Sequence, residues 1–444
     1  MKLFGTDGLR GKAGEFPLDS ASVRLLGREL AARLAGDRGR RVVVGGDTRE
    51  STPRIVADLS AGLAEGGCGV APAGVITTPG VAELVLEIEA AAGVAVSASH
   101  NPYEDNGIKI FGSDGRKWPD EEEERLERTL LEAGPGRKAT TTPSPPDPDP
   151  GLAATYISRL KASVPGNLGG LRVLMDTGHG AAYQIGPKTF QRAGARVEAI
   201  HDAPDGHNIN LGCGALHPET MAQATRKSGA ALGVAFDGDA DRSIFADERG
   251  RILDGDDVLW IVARAWKAAG KLTPGGVVGT VMSNYGLEAA LKEEGIAFHR
   301  AAVGDRNVAR RMDETGAILG GETSGHILLA PLSPAGDGIL TALLLSAIVY
   351  RSDRPLSELA TLEKMPQTLR NVRVGRRVPI DEVEGISRAV RQAEEALSAR
   401  GRVFLRYSGT EPLLRILVEG PEAGEVRSIA DDLEAAVRAE LTEC

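Results

Sequence analysis

Cysteine is scarce in this chain: Cys68, Cys213 and Cys444 are an odd number spread over 444 residues. They are too far apart for a disulfide framework, and none has a partner at metal-ligand spacing, so free thiols in a reducing cytoplasm are expected. Positive charge is also short, with 52 Lys and Arg against 62 Asp and Glu and a formal net charge of −10. A general nucleic-acid binder needs a basic face, so no nucleic-acid partner is expected, although local basic pockets for phosphate stay open. Long apolar runs are missing as well. Thr6-Asp7 interrupts the start before a signal-peptide stretch can form, and the most apolar segment, Ile339 to Tyr350, carries Thr341 and Ser346. That segment falls well short of the roughly 20 residues that span a bilayer, so it reads as a core helix and no membrane partner is expected. No short-period repeat of the solenoid kind occurs.

What is present is an ordinary globular composition, 42% hydrophobic and 26% charged, in a chain long enough for roughly three or four domains of ~100–200 residues. From Arg41 on, short β-branched runs alternate with amphipathic stretches, the signature of parallel α/β units. Strands are expected at Arg41–Val44, Ala92–Val96, Leu171–Met175, Arg196–Ile200, Leu232–Phe236, Gly276–Val281 and Ala317–Gly320. Helices are expected at about Thr52–Glu65, Gly80–Glu89, Asp120–Glu132, Ala181–Ala193, Asp256–Ala269 and after Gly336. Six prolines between Gly134 and Pro150 exclude helix and central strand and mark a linker. After Met365 the order changes to a strand near Asn371–Val374, a helix over Ile380–Ala399, strands at Val403–Leu405 and Arg415–Val418, and a helix from Glu422. The expected fold class is α/β with four domains: three successive mixed or parallel α/β sandwich domains at 1–150, 151–252 and 253–364, and a smaller α+β C-terminal domain at 365–444, around a central cleft.

Four loops carry chemistry. Val96-Ser97-Ala98-Ser99-His100-Asn101-Pro102 follows a buried strand, and a serine placed there presents an exposed hydroxyl to a cleft, with Asn101-Pro102 and Asn106-Gly107 bending the backbone around it. An ordinary polar turn is the bland alternative. Asp237-Gly238-Asp239-Ala240-Asp241-Arg242 places carboxylates at every second position after a strand, a pattern that converges on one hard cation. The alternative here is a solvated acidic turn. An EF-hand is rejected because Arg242 stands where that loop needs glycine and the flanks read as strands; Mg²⁺ is preferred. Gly178-His179-Gly180 imitates a dinucleotide fingerprint, but Tyr183 occupies its third small position. Gly320 to His326, with Glu322, Ser324 and His326, suits a polyhydroxylated or aminated ligand or is a polar turn with a structural histidine. Arg406 to Pro412, with Arg415 behind it, reads as a phosphate cradle or as surface arginines in a turn.

Together, and in this order along the whole chain, these loops resemble the α-D-phosphohexomutase superfamily. Gly5-Thr6-Asp7-Gly8-Leu9-Arg10-Gly11, Val303-Gly304-Asp305-Arg306 and the Arg406 to Pro412 loop look most like the branch acting on glucosamine phosphates. Thr323 departs from both branches, since hexosamine enzymes more usually carry glutamine there and the phosphomannomutase/phosphoglucomutase branch carries methionine. The resemblance implies an isomerase that interconverts glucosamine 6-phosphate and glucosamine 1-phosphate toward cell-wall precursors. Ser99 would be a phosphoserine sharing one Mg²⁺ with Asp237, Asp239 and Asp241; Lys109 and His326 would lie near the proton transfers, and Arg10, His100 and Arg242 around the transferring group. Glu322 and Ser324 would contact the phosphosugar, while Arg406, Ser408, Gly409, Thr410 and Arg415 would bind its non-reacting phosphate. A sugar bisphosphate is implied as intermediate and activator, and the enzyme would be a cytoplasmic monomer or homodimer. A phosphomannomutase/phosphoglucomutase, or a non-catalytic metal- and phosphate-binding protein, are the rival readings.

Overall fold

The computed structural model describes residues 3–5, 7–34, 40–136, 143–408 and 412–442. The chain forms two compact units, Met1–Met282 with Ala297–Thr361, and Ser283–Ile296 with Leu362–Cys444.

The first unit holds three sheets. The first contains Phe4–Gly5 (β1), Gly8–Lys12 (β2), Arg41–Gly46 (β3), Gly69–Val75 (β4), Ala92–Val96 (β5) and Asp105–Phe111 (β6), in the order β1-β2-β6-β5-β3-β4. β5, AGVAV, is buried at all five positions, as expected of a small, β-branched strand covered on both faces. Val42 and Val44 enter one apolar layer with Leu26 and Leu30 of the helix Ser20–Arg33 and with Ile55, Leu59 and Leu63 of the helix Thr52–Glu65. Val43, on the other face by alternation, stays out of it.

The second sheet orders Arg172–Asp176 (β7), Arg196–Ile200 (β8), Leu232–Phe236 (β9), Ser243–Asp247 (β10) and Ile252–Leu253 (β11) as β11-β10-β9-β7-β8. The third orders Val277–Thr280 (β12), Phe298–Ala301 (β13), Leu319–Gly321 (β14) and Ile327–Leu329 (β15) as β13-β12-β14-β15. Each sheet is parallel at its centre and then turns antiparallel: β5 into β6, β9 into β10, β14 into β15. The serine, carboxylate and Glu322 loops occupy these three equivalent turns. One topological device thus recurs at domain scale.

The second unit contains Gln367–Arg373 (β16), Arg402–Tyr407 (β17) and Leu413–Glu419 (β18) in an antiparallel sheet, order β16-β18-β17, backed by helices Glu384–Leu397 and Ala423–Leu441. Residues 283–296 also pack here: Asn284 donates through Nδ2 to Met365 O at 3.0 Å and accepts from Met365 N at 2.9 Å. No helix among the described residues is long and apolar enough to cross a membrane.

Two local expectations are corrected. Asn106-Gly107 is part of strand β6 and not a bend. Asn106 Nδ2 donates to Ser51 Oγ at 2.8 Å and Thr52 Oγ1 at 3.1 Å, and a Cβ on Gly107 would meet Ser97 O at 2.6 Å, so the pair serves close strand packing. The linker ends in a helix, Pro150–Ser163, whose Asp149 cap accepts from Gly151 N at 2.8 Å, with Pro150 in the first turn where its missing N–H does no harm.

That helix brings Tyr156 into a buried polar junction. Thr77 Oγ1 donates to Tyr156 OH at 3.1 Å, and Tyr156 OH donates to Asp337 Oδ2 at 2.7 Å. Asp337 also caps the helix Gly338–Ser352, accepting from Leu340 N at 2.9 Å. Burial pushes the Asp337 carboxyl up to about 7, with the Glu83 carboxylate adding to the rise against the donors that oppose it. A carboxyl raised on folding stabilises the fold fully below its unfolded value of about 3.9 and loses that contribution as pH rises through about 7. Asp337→Asn keeps an acceptor without the charge. Thermal melts from pH 4.5 to 8 should therefore show the variant gaining on wild type as pH rises; a constant difference in melting temperature would refute the assignment.

Candidate active site

Ser99 stands in the turn between β5 and β6 with a left-handed backbone, φ 53°, and is fully buried, which corrects the expectation of an exposed loop hydroxyl. Its burial has a visible cause. Arg49, itself 1% exposed, donates to the Ser99 and Asn101 carbonyls at 2.9 Å each, to Asp105 O at 3.1 Å, and to Pro102 O. Its Nε pairs with Asp47 Oδ2 at 2.9 Å, an oxygen that also accepts from Ser97 Oγ at 2.6 Å. Ser97 Oγ in turn accepts from Ser99 N at 2.9 Å, and Asn210 Nδ2 adds a second donor to Ser99 O at 2.9 Å. One buried guanidinium thus ties down four carbonyls of the serine loop.

Against this loop lies the carboxylate loop. Ser99 Oγ donates to Asp237 Oδ2 at 2.6 Å, and His100 Nδ1 lies 3.2 Å from the same hydroxyl. The approach depends on Gly238, where a Cβ would sit 2.5 Å from Ser99 O. Asp237, Asp239 and Asp241 are all buried, and each offers an oxygen within 4.8 Å of the others. Lys109 Nζ reaches Asp239 Oδ2 and Asp241 Oδ2 at 3.0 Å each, and Thr78 Oγ1 donates to Asp239 Oδ2 at 2.6 Å. The other oxygens of Asp239 and Asp241 are buried with no hydrogen-bond partner among the described residues. Buried carboxylate oxygens in that condition call for a cation, and an all-oxygen set suits a hard divalent ion, so the residues present fit Mg²⁺.

Electrostatics follow from crowding in a dry site. Burial, then Asp241 and Asp239, push the Asp237 carboxyl well above its ordinary value. Burial opposes charge at Asp241 too, but Lys109 and His326 outweigh it and hold that carboxyl well down. Burial pulls the Lys109 ammonium down, yet Asp239, Asp241 and Asp7 raise it overall. His326 Nδ1 is 3.6 Å from Asp241 Oδ1; burial disfavours its charge, but Asp241 and Asp305 lift the imidazole to about 9. His100 moves the other way, lowered by burial and then by Arg242 and Arg10. Charge is therefore disfavoured on the imidazole beside Ser99 and favoured on the one beside Asp241.

Arg10, on β2, reaches Asn101 Oδ1 at 3.3 Å and pairs with Asp7. Asp7 in turn receives Lys117 Nζ at 2.7 Å and Lys109 Nζ at 3.1 Å, and Lys117 continues to Asp305 Oδ2 at 2.6 Å. Arg242 Nε is 3.8 Å from Asp241 Oδ1. Glu322 Oε1 accepts from Gly304 N at 2.9 Å, fixing the Glu322 loop to Val303–Arg306, while Ser324 is exposed. A cavity of about 350 Å³, within the size range of small-ligand pockets, is walled by Thr78, Lys117, Asp241, Asp305, Arg306 and His326.

The structure thus gathers Ser99, His100, Arg10, Lys109, Asp237, Asp239, Asp241, Arg242 and His326, with Glu322 and Ser324 on a neighbouring loop. In the second unit, Arg406 on β17 stands directly across from Arg415 on β18, and buried Ser408 follows β17. Gly409 and Thr410 lie outside the described residues. Asp47, Arg49, Ser97 and Asn210 were missed in the sequence. A faint signal existed for two of them: Asp47-Thr48-Arg49 leaves the end of β3, and β3 neighbours β5 in parallel, so both turns share one edge.

Three mixed sheets with a functional loop at the same turn of each, a buried serine against a three-carboxylate loop, and an antiparallel C-terminal module define an enzyme of the phosphohexomutase class, an isomerase. The chain belongs to the phosphoglucomutase/phosphomannomutase family: models of that family's alpha/beta/alpha domains I, II and III and of its C-terminal domain match residues 1–135, 154–250, 254–365 and 369–436. Within it the chain groups with the phosphoglucosamine mutases. It is 46% identical to the phosphoglucosamine mutase of Symbiobacterium thermophilum, covering 99% of each chain. To that of Thermus thermophilus it is 47% identical over 99% of this chain and 98% of the other. A phosphoglucomutase/phosphomannomutase family protein from Burkholderia thailandensis superimposes with TM-score 0.81 at 25% identity over 99% of both chains. The N-acetylphosphoglucosamine mutase of Aspergillus fumigatus, solved with GlcNAc-6P and magnesium, shares the fold with TM-score 0.65 at 17% identity, over 99% of this chain and 96% of that one.

Proposed function

We propose that this chain interconverts glucosamine 6-phosphate and glucosamine 1-phosphate, with Ser99 Oγ as the phosphoryl carrier. The observation that carries the reading is the 2.6 Å hydrogen bond from Ser99 to Asp237 at the edge of a buried carboxylate set in which one oxygen each of Asp239 and Asp241 lacks a hydrogen bond among the described residues. The full-length phosphoglucosamine mutases at 46% and 47% identity support the amino sugar as substrate. Asp237, Asp239, Asp241 and the Ser99 oxygen would hold one Mg²⁺, which when bound supplies positive charge to a phosphoryl group in flight.

The rest is the work of the chain. In the first transfer the bond from phosphorus to Ser99 Oγ breaks, a bond to the free hydroxyl of the hexosamine monophosphate forms, the hydroxyl proton leaves to a base, and the freed Ser99 oxygen takes up a proton in exchange. Lys109 and His326 would lie near the proton transfers, and Arg10, His100 and Arg242 would surround the transferring group, the arginines supplying positive charge. The bisphosphate that results turns end for end and returns its other phosphoryl group to Ser99. A free sugar bisphosphate would load Ser99 by the same route. Glu322 and Ser324 offer hydrogen bonds to the sugar, Glu322 with a charge suited to its ammonium group. Arg406, Ser408, Gly409, Thr410 and Arg415 would hold the phosphate that is not reacting. The setting is the cytoplasm, as a monomer or homodimer.

Specificity constants on glucosamine, glucose and mannose phosphates test the substrate. Glucosamine phosphate should give the highest kcat/KM, and a hexose phosphate in first place would move the chain to the phosphomannomutase/phosphoglucomutase reading. Intact mass after incubation with a sugar bisphosphate should show one added phosphate on Ser99. Neither mass gain nor turnover of any of the three sugars would leave a non-catalytic binding protein.

A further inference from the structure

Outside the phosphoryl site, a second set of potential ligands converges on the C-terminal edge of the second sheet. Asp176 ends β7, His201 follows β8, and Cys213 lies in the long connection between β8 and β9; each offers a donor atom within 4.8 Å of the others. The nearest two of the three are twelve residues apart in sequence, so no ligand-spacing motif announces the group. Folding alone assembles it.

We propose that Asp176, His201 and Cys213 form a second metal site, for a borderline ion of the Zn²⁺ type. The donor set argues for that class. Thiolate, imidazole and carboxylate together suit Zn²⁺ and its neighbours, whereas Mg²⁺ takes oxygen ligands and belongs to the aspartate loop. Three protein ligands leave a fourth tetrahedral position for water or a further side chain.

The surroundings support the assignment. The Asp176 carboxylate is held by two backbone amides, Gly178 N to Oδ1 at 2.9 Å and Gly214 N to Oδ2 at 3.1 Å, the kind of outer partner that orients a ligand. His201 Nδ1 is 3.0 Å from Asp176 Oδ2, so imidazole and carboxylate already face one point. His201 is partly exposed while Asp176 and Cys213 are fully buried, which leaves an approach from solvent to a closed interior. A second imidazole stands nearby: the His179 ring centroid is 5.4 Å from that of His201, and its Nδ1 is buried without a hydrogen-bond partner among the described residues.

The site has a consequence for the serine loop. Thr177 Oγ1 donates to His201 O at 2.7 Å, Asn210 N donates to Gly178 O at 2.9 Å, and Asn210 Nδ2 holds Ser99 O at 2.9 Å. An ion at Asp176, His201 and Cys213 therefore staples both ends of the connection that carries Asn210, and stiffens one of the two donors on the Ser99 carbonyl. The inference does not depend on which sugar the enzyme takes.

Co²⁺ is the probe, because a cysteine thiolate bound to it produces a near-ultraviolet charge-transfer band that an all-carboxylate site cannot. The full-length protein, with its aspartate loop saturated by excess Mg²⁺, should develop that band with one equivalent of Co²⁺, and Zn²⁺ should bleach it. Cys213→Ser should abolish the band, Cys68→Ser should keep it, and His201→Gln should weaken Co²⁺ binding by at least the roughly 10–100-fold that loss of an outer partner costs. His201 is partly exposed, so its variant remains informative if Cys213→Ser fails to fold. Absence of a thiolate band, a band that survives Cys213→Ser, or unchanged affinity in His201→Gln would each overturn the proposal and leave an Asp–His ion pair beside a buried thiol.

Discussion

Ser99→Ala will reduce turnover by on the order of 10⁴–10⁶-fold, the scale on which an enzyme loses rate when its covalent nucleophile is removed. No other described hydroxyl can take over. Thr78, whose Oγ1 also donates into the carboxylate set at 2.6 Å, is engaged with Asp239 on the side of Lys109 and not with Asp237. Because Ser99 is fully buried, the variant will not be neutral for the fold. Deleting its hydroxyl takes the donor from Asp237 Oδ2 and should cost about 1–3 kcal/mol in the metal-free protein. Mg²⁺ should offset part of that loss by taking up the freed oxygen. The check is paired: steady-state kinetics on glucosamine phosphate, and intact mass after incubation with a sugar bisphosphate. Turnover within tenfold of wild type, or phosphate added to the alanine variant, would remove Ser99 as the carrier.

The carboxylate loop was legible in sequence for a physical reason. Three aspartates with Gly238 and Ala240 between them, directly after Leu232–Phe236, leave few arrangements other than convergence, and the structure has Ala240 in a left-handed turn at φ 55° that closes it. Strands Ala92–Val96 and Leu232–Phe236 and the helix Thr52–Glu65 were legible because apolar patterning and burial coincide there, and the half-exposed edge strand Arg196–Ile200 by its alternation alone. Asn106-Gly107 misled because its sequence is that of a turn while its role is tertiary: the neighbouring Ser97 and Leu9 carbonyls explain the glycine. The antiparallel turn at the end of each parallel core was hidden too, since Ile327–Leu329 is only three residues long and Gly8–Lys12 gains its partner, β6, from far along the chain. The buried depth of Ser99 could not be read locally at all, because it is imposed by Arg49, fifty residues away.

Arg49→Met should be the most destabilising single change near the site. The side chain is buried along with that of Asp47, and methionine keeps much of its length and apolar stem while removing the guanidinium. Two losses then combine. Asp47 becomes a buried carboxylate without its cation, although Thr52 Oγ1 at 3.0 Å and Ser97 Oγ at 2.6 Å still donate to it. The carbonyls of Asn101, Pro102 and Asp105 lose a charged donor, and Ser99 O keeps only Asn210. Breaking a buried pair from one side costs about 3–5 kcal/mol, equivalent to a fall in melting temperature of roughly 4–7 °C in a cooperative unit of this size. In the double variant with Asp47→Asn the uncompensated charge is gone, so the loss should be smaller than the sum of the two single changes by more than the few tenths of a kcal/mol typical of independent sites. Activity should fall further than stability alone requires, because a serine oxygen displaced by about 1 Å from its reacting position loses roughly 10²-fold in rate. Melting curves and kcat measured well below the transition separate the two effects. A variant that melts with wild type and turns over at the wild-type rate would mean that the serine loop holds its shape without Arg49, and that the left-handed turn at Ser99 is set by the loop's own residues.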